Sequence, residues 1–399
     1  MGSRKVVAVA VVAAIGLSAG LVHAEPTVGS PLVGEYCSAG SSISGTGASF
    51  AKNAHNNVFI PAYDGDCGEG AVSYSSTGSG AGKLATRNRT HAFGGSDEPL
   101  DATEVAIDSG DTGDPNAPNP GGRVSPLHHI PIALGAVTVS YNLAICGITG
   151  QEAISLRSPM IAGIFSGAIT KWNDPLLTLE NPNLANCNRS ITLVVRADGS
   201  GTTYAFKDYL SKRNPLFQAY KSNDFNTAWP AEDLGLNTPV RGPGNGGVAD
   251  GVKNNDASIG YVELSTAKSK GLKWALVDGA TGVFNAPDDG RSANCELAAT
   301  GATHPPSTLS PGWDAVSITD TPNPLAYAIC TFTYALVYND LATAFGGAMS
   351  RAQAQTLVDY MNRALEPDVQ DALADHGYAP LPASLQAVAQ AGMASVAYV

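Results

Sequence analysis

Three short turns, each rich in glycine and small hydroxyls, constrain this chain more than any other feature. They are Gly45-Thr46-Gly47-Ala48-Ser49-Phe50, Ser76-Thr77-Gly78-Ser79-Gly80-Ala81-Gly82 and Arg196-Ala197-Asp198-Gly199-Ser200-Gly201-Thr202-Thr203. Each follows a segment that reads as strand or turn and leads into one that reads as helix. Glycine lets backbone approach a ligand closely, while Ser and Thr cap helices and supply small donors. A helix start also leaves N–H groups unpaired and holds partial positive charge, so such a turn suits an anion. One such turn is ordinary capping. Three of them, with Arg196, Asp97 and Asp198 alongside, point to a small oxyanion held from several sides.

Around these turns, short apolar runs alternate with helical patterns, the signature of an α/β fold with largely parallel sheets. Ala71–Tyr74, Ile191–Val195, Ser258–Val262 and Lys273–Val277 read as strands. Phe50–Ala62, Ser200–Leu210, Gly247–Lys253 and Arg351–Leu365 read as helices, the last with apolar residues at helical spacing. Two longer runs, Ile130–Leu143 and Ala326–Tyr338, read either as core strands or as a pair of segments crossing between two lobes. Ser109–Pro126 and Gly279–Pro324, rich in Gly, Pro and acids, read as long surface loops.

Residues 1–24 read as an export signal. Arg4 and Lys5 precede the apolar run Val6–Leu21, and Val22-His23-Ala24 fits a small-x-small cleavage site. Without it, the two lost bases take the net charge from −12 to −14. Such an acidic chain does not suit nucleic acid or anionic lipid, and no nucleic-acid partner is expected. An anion must then be held by local dipoles against the global field. Six cysteines in an exported chain imply three disulfides, and no CxxC or His cluster argues for metal instead. Many pairings are open, and sequential neighbours are the expected ones. Beyond the signal, about 375 residues exceed one ordinary core, which favours two domains.

Enzyme motifs fail on their spacing. A phosphate-cradling nucleotide loop ending at Lys83 would need Gly at Thr77 and Ser or Thr at Leu84. A dinucleotide fingerprint from Gly45 would need Gly at Phe50, and no G-x-S-x-G surrounds Ser79 or Ser200. His128-His129 would point to opposite faces of a strand, a poor metal pair. No cofactor, metal or catalytic residue is expected. Trp172, Trp229 and Trp313 read as core or lobe-surface residues rather than ligand stackers.

Taken together, the motifs resemble the phosphate-specific substrate-binding protein of bacterial phosphate ABC importers. The similarity rests on Gly45–Phe50, Tyr74–Gly82, Phe93-Gly-Gly-Ser-Asp-Glu-Pro-Leu100, Ile164–Asn173, Val195–Thr203, Gly242-Pro-Gly-Asn-Gly-Gly247 and Ser258–Glu263, in the family's order. It implies an α/β, two-lobed periplasmic-binding-protein fold of class II type, with the ligand cleft between lobes joined by crossing strands. By that implication lobe one is residues 30–134 plus 334–399, and lobe two is 135–333. Carried over, the phosphate ligands are Ala48, Ser49 and Phe50 (amides and a hydroxyl), Ser79 (hydroxyl) and Asp97 (carboxylate). Arg196 gives the one full positive charge, partly neutralised by Asp198. Ser200, Gly201 and Thr202 supply hydroxyls and amides. Ser49 stands where the family more often has Thr, and keeps the hydroxyl. The Gly279–Pro324 loop, the extra cysteines and a weaker C-terminal match depart from the pattern.

The resemblance implies an exported, monomeric receptor in the periplasm or at the cell surface that captures inorganic phosphate for an ABC permease and performs no chemistry. A receptor for sulfate or arsenate, or a secreted phosphatase-like protein, is the competing expectation.

Overall fold

The run read from Ile130 to Leu143 becomes the spine of the molecule. In the computed structural model, which describes Cys37 and residues 41–109, 124–221, 227–288 and 294–399, the strand Leu127–Asn142 is 16 residues long and buried along all but its last residue. Both faces must therefore be covered, which explains a nearly unbroken apolar sequence instead of alternation. Its first part pairs antiparallel with Cys330–Tyr338, and its last part, Val137–Asn142, with Ser258–Glu263. One strand thus passes through both halves of a curled sheet.

The sheet order is Val72–Ser76, Ile43–Gly47, Phe93–Ser96, Cys330–Tyr338, Leu127–Asn142, Ser258–Glu263, Thr192–Arg196, Val240–Gly242. The outer strands on each side are parallel to their neighbours. The fold is the two-lobed α/β arrangement, with helices on the faces and the strands' ends converging on the middle. The second long run, Cys330–Tyr338, lies against the first and pairs on its other side with Phe93–Ser96. Register slips between Thr333 and Tyr334, so that Ile132 is left between the paired residues Pro131 and Ala133. Pro131 has no N–H for the ladder, and a bulge is where such a residue fits. The Ile132 carbonyl accepts from Gln370 Nε2 at 3.0 Å.

Expected elements are found with shifted ends. Ser200–Leu210 is the start of Gly201–Arg213, and Gly247–Lys253 the middle of Gly244–Asn254. Arg351–Ala364 opens on a reciprocal cap between Ser350 and Gln353 and buries Ala354, Leu357, Val358 and Met361 at helical spacing. Phe50–Ala62 is instead a short α segment, a π segment His55–Phe59, and Ile60–Cys67. Lys273–Val277 is two short strands rather than one.

The surface-loop reading of Gly279–Pro324 holds for most of its described residues but misses the helix Asn294–Ala299 and several buried anchors. Gly and Pro density signals the absence of regular structure, not the absence of burial. Cys295, Thr308, Trp313 and Ile318 are all within 2% exposure. Thr308 bonds His128 Nδ1 at 2.7 Å through its hydroxyl and accepts from the His129 amide through its carbonyl. Further on, Ser317 Oγ donates to Asp208 Oδ2 at 2.5 Å, and Arg213 pairs with Asp320 at 2.7 Å. The segment is a strap tying the Leu127–Asn142 strand to the Gly201–Arg213 helix.

Disulfides join Cys37 to Cys67, Cys146 to Cys187 and Cys295 to Cys330, the sequential pairing. Trp172, Trp229 and Trp313 are core residues. No helix among the described residues is long and apolar enough to cross a membrane. The export signal over 1–24 and most of Ser109–Pro126 lie outside the described residues.

Candidate functional site

In the first half of the sheet, the Ile43–Gly47 strand delivers the turn Ala48-Ser49-Phe50. An aromatic stack beneath it fixes its height. Tyr74 lies 4.0 Å from the His55 ring and donates its hydroxyl to the Ala48 carbonyl at 3.0 Å. The Ala48 amide donates to the Gly95 carbonyl at 2.8 Å. Ala48 is therefore no ligand donor, which corrects the expectation for that residue. The amides of Ser49 and Phe50 have no such backbone partner among the described residues.

Ser79 opens the Ser79–Arg87 helix, and Asp97 follows the strand Phe93–Ser96. Ser79 Oγ accepts from the Asp97 amide at 3.2 Å and stands 3.5 Å from Asp97 Oδ2. Asp97 is 2% exposed. One helical turn past Ser79, Lys83 Nζ meets Glu98 Oε2 at 2.8 Å and Glu104 Oε2 at 3.1 Å. This buried charge pair pins the same helix to the residue after Asp97. The lysine that superficially suggested a nucleotide loop is a structural counter-ion.

The second half repeats the plan. Arg196 ends the Thr192–Arg196 strand, and its amide donates to the Tyr261 hydroxyl at 3.1 Å. That hydroxyl also bonds Thr203 Oγ1 at 2.7 Å, while its ring stacks on Phe206 at 4.7 Å. Burial pushes the Tyr261 phenol up to about 12, so it stays protonated. Arg196 Nε donates to Asp198 Oδ1 at 2.9 Å, and Nη2 donates to Oδ2. Ser200 Oγ caps the next helix by accepting from the Thr203 amide at 3.0 Å. The helix start at Gly201 lies directly against Asp97.

The two halves meet closely. Thr202 Oγ1 donates to Asp97 Oδ2 at 3.2 Å, and the Gly80 amide donates to the Gly199 carbonyl at 3.2 Å. A Cβ on Gly201 would lie 2.6 Å from that of Asp97, and one on Gly78 would lie 2.3 Å from Asp198 Oδ2. Gly78 also has φ +99°, which side chains rarely adopt. Both glycines are required by the approach itself.

Ser49, Ser79, Asp97, Arg196, Asp198, Gly201 and Thr202 thus gather at one place, with Ser200 beneath them as a cap. One member is missing from the sequence reading. Asn245, fully buried at the start of Gly244–Asn254, donates through its amide to Ser49 Oγ at 3.0 Å. Its neighbour Gly244 donates to Asp198 Oδ1 at 2.9 Å. An Asn among glycines at a helix start looks like ordinary capping, and only the fold brings it against Ser49. Beside the cluster a cavity of about 550 Å³ opens to solvent, lined by Ser49, Lys52, Asp198, Gly244, Thr266 and Lys270.

Chemically, the cluster offers hydroxyls, amides and one guanidinium, groups that suit a small anion. Asp198 offsets much of the Arg196 charge, so attraction comes mainly from amides, hydroxyls and helix starts aimed inward. Among the described residues no group of three or more His, Cys, Asp or Glu is placed to hold a metal.

The PBP superfamily domain matches residues 24–363. The phosphate-binding protein PstS of Xylella fastidiosa is 30% identical over 343 residues, covering 86% of this chain and 82% of that one. This chain belongs to the PstS phosphate-binding family. Among its relatives, PstS 3 of Mycobacterium leprae is 27% identical over 356 residues, covering 88% and 85%. A solved periplasmic phosphate-binding protein bound with phosphate, PfluDING, shares the fold at a TM-score of 0.64 and 21% identity, covering 88% of this chain and 93% of that one.

Proposed function

We propose that this PstS-family protein captures inorganic phosphate as HPO4²⁻ between its two lobes and delivers it to an ABC permease. It is exported to the periplasm or cell surface and performs no chemistry of its own. The lobes are residues 30–134 with 334–399, and 135–333. Ser49, Phe50, Ser79, Asp97, Arg196, Ser200, Gly201 and Thr202 hold the ion, with Asp198 steadying Arg196.

One observation supports this reading above the others: a buried carboxylate, Asp97, stands among the donors of an anion seat. An ionised carboxylate only accepts hydrogen bonds. Monohydrogen phosphate has a proton to give it; sulfate has none. Burying sulfate there would set a proton-less dianion against the carboxylate, at a cost of several kcal/mol. Binding without turnover is supported by the histidines His55, His128 and His129, which are buried and engaged with Tyr360, Thr308 and the Leu100 amide. None of them serves Ser79 or Ser200.

Calorimetric titration of phosphate-stripped protein tests the proposal. Heat with phosphate and none with sulfate is expected, and Asp97→Asn should admit sulfate. Comparable sulfate binding by the unaltered protein contradicts the selectivity, and turnover of a chromogenic phosphoester abolished by Ser79→Ala contradicts the absence of catalysis.

A further inference from the structure

Both side-chain protons of Asn245 are used, and they determine the direction of other protons. Its Oδ1 accepts from the Glu263 amide at 2.9 Å. A backbone N–H can only donate, so this contact fixes which end of the side chain is oxygen. The Nδ2 group then has two protons. One goes to Ser49 Oγ at 3.2 Å, the other to Thr202 Oγ1 at 3.1 Å. Ser49 Oγ also accepts from the Asn245 amide. A hydroxyl has two lone pairs and one proton. With both lone pairs of Ser49 taken, its proton must be donated elsewhere. Thr202, accepting from Nδ2, sends its proton toward the seat, where Asp97 Oδ2 takes it.

We infer that Asn245 is a positioning residue for anion recognition: it leaves the Ser49 hydroxyl, from one half of the sheet, only its proton to offer, and by donating to Thr202, from the other, it favours that hydroxyl as a donor too. The inference rests on the phosphate reading above. It assigns selectivity to a side chain outside the carried-over ligand set. A hydroxyl free to rotate binds donors and acceptors alike. Two hydroxyls held in one sense discriminate for acceptor-rich ligands, and the same side chain joins the two halves through Ser49. Glu263 takes part through its backbone alone, while its carboxylate accepts from the Ser265 and Thr266 amides.

The experiment is a double-mutant cycle read by phosphate titration calorimetry, using unaltered protein, Ser49→Ala, Asn245→Ala and the double variant. Ser49→Ala should weaken phosphate about tenfold in the unaltered background but less than about threefold in the Asn245→Ala background. Equal effects in both backgrounds overturn the inference while leaving phosphate capture intact. No phosphate binding by the unaltered protein overturns both. If Asn245→Ala does not fold, a phosphate-bound crystal structure of the unaltered protein decides. Asn245 Nδ2 should bridge the two hydroxyl oxygens, each also within bonding distance of a phosphate oxygen. A side chain turned away from them refutes the assignment.

Discussion

Arg196 is 2% exposed yet shares two of its donor groups with Asp198, so it acts as a half-neutralised fork rather than a bare charge. Losing a fork of this kind removes charge-assisted bonds that neutral donors cannot replace. Arg196→Ala should weaken phosphate by about 2 kcal/mol or more, roughly thirtyfold, in a titration at neutral pH. An unchanged affinity would remove the guanidinium from the seat. Glu263 gives a prediction in pH. Burial raises its carboxyl to about 8 from 4.5, despite bonds from Thr266 and Ser265 that pull the other way. The folded state then binds more protons than the unfolded state between those values. The stability from this group is full below about 4.5 and declines as pH rises through about 8. Glu263→Gln does not titrate, so phosphate-free protein should lose stability relative to this variant between pH 5 and about 9, measured by urea unfolding. A constant difference would mean that Glu263 is charged when folded.

At the scale of elements, each half presents its functional turn by the same device: a strand end seated on an aromatic stack whose tyrosine hydroxyl, Tyr74 or Tyr261, grips the turn's backbone. The turns were legible in the sequence because glycine and hydroxyl content is a local requirement. Which amides remain available was not, because the Ala48 bond to Gly95 depends on how two strands meet. Asn245 escaped for the same reason, since its partners Ser49 and Thr202 lie 196 and 43 residues away in the chain. The strap was misread because Gly and Pro in Gly279–Pro324 outweighed its few anchors, Cys295, Trp313 and Ile318. Those anchors make it testable. The Cys295–Cys330 bridge closes a loop spanning 35 residues. Replacing both cysteines with Ser should cost about 4 kcal/mol in equilibrium unfolding on the chain-entropy account. A loss under about 1 kcal/mol would mean that noncovalent strap contacts already impose the constraint.

For the whole molecule, the central strand Leu127–Asn142 makes cleft and fold inseparable. The pairing that builds both halves of the sheet also brings Asp97 against Thr202, and Gly78 against Asp198. An acidic chain can then hold a doubly charged anion because the attraction is local, directed and shielded from its own net charge of −12. On the proposed function, the ion sits between the halves and donates a hydrogen bond from its proton to Asp97. A crystal structure of the protein grown with phosphate tests it most directly. One phosphate oxygen should lie within hydrogen-bond distance of an Asp97 carboxylate oxygen and another on Arg196. A phosphate found instead in the outer cavity by Lys52 and Lys270, with Asp97 untouched, would contradict it.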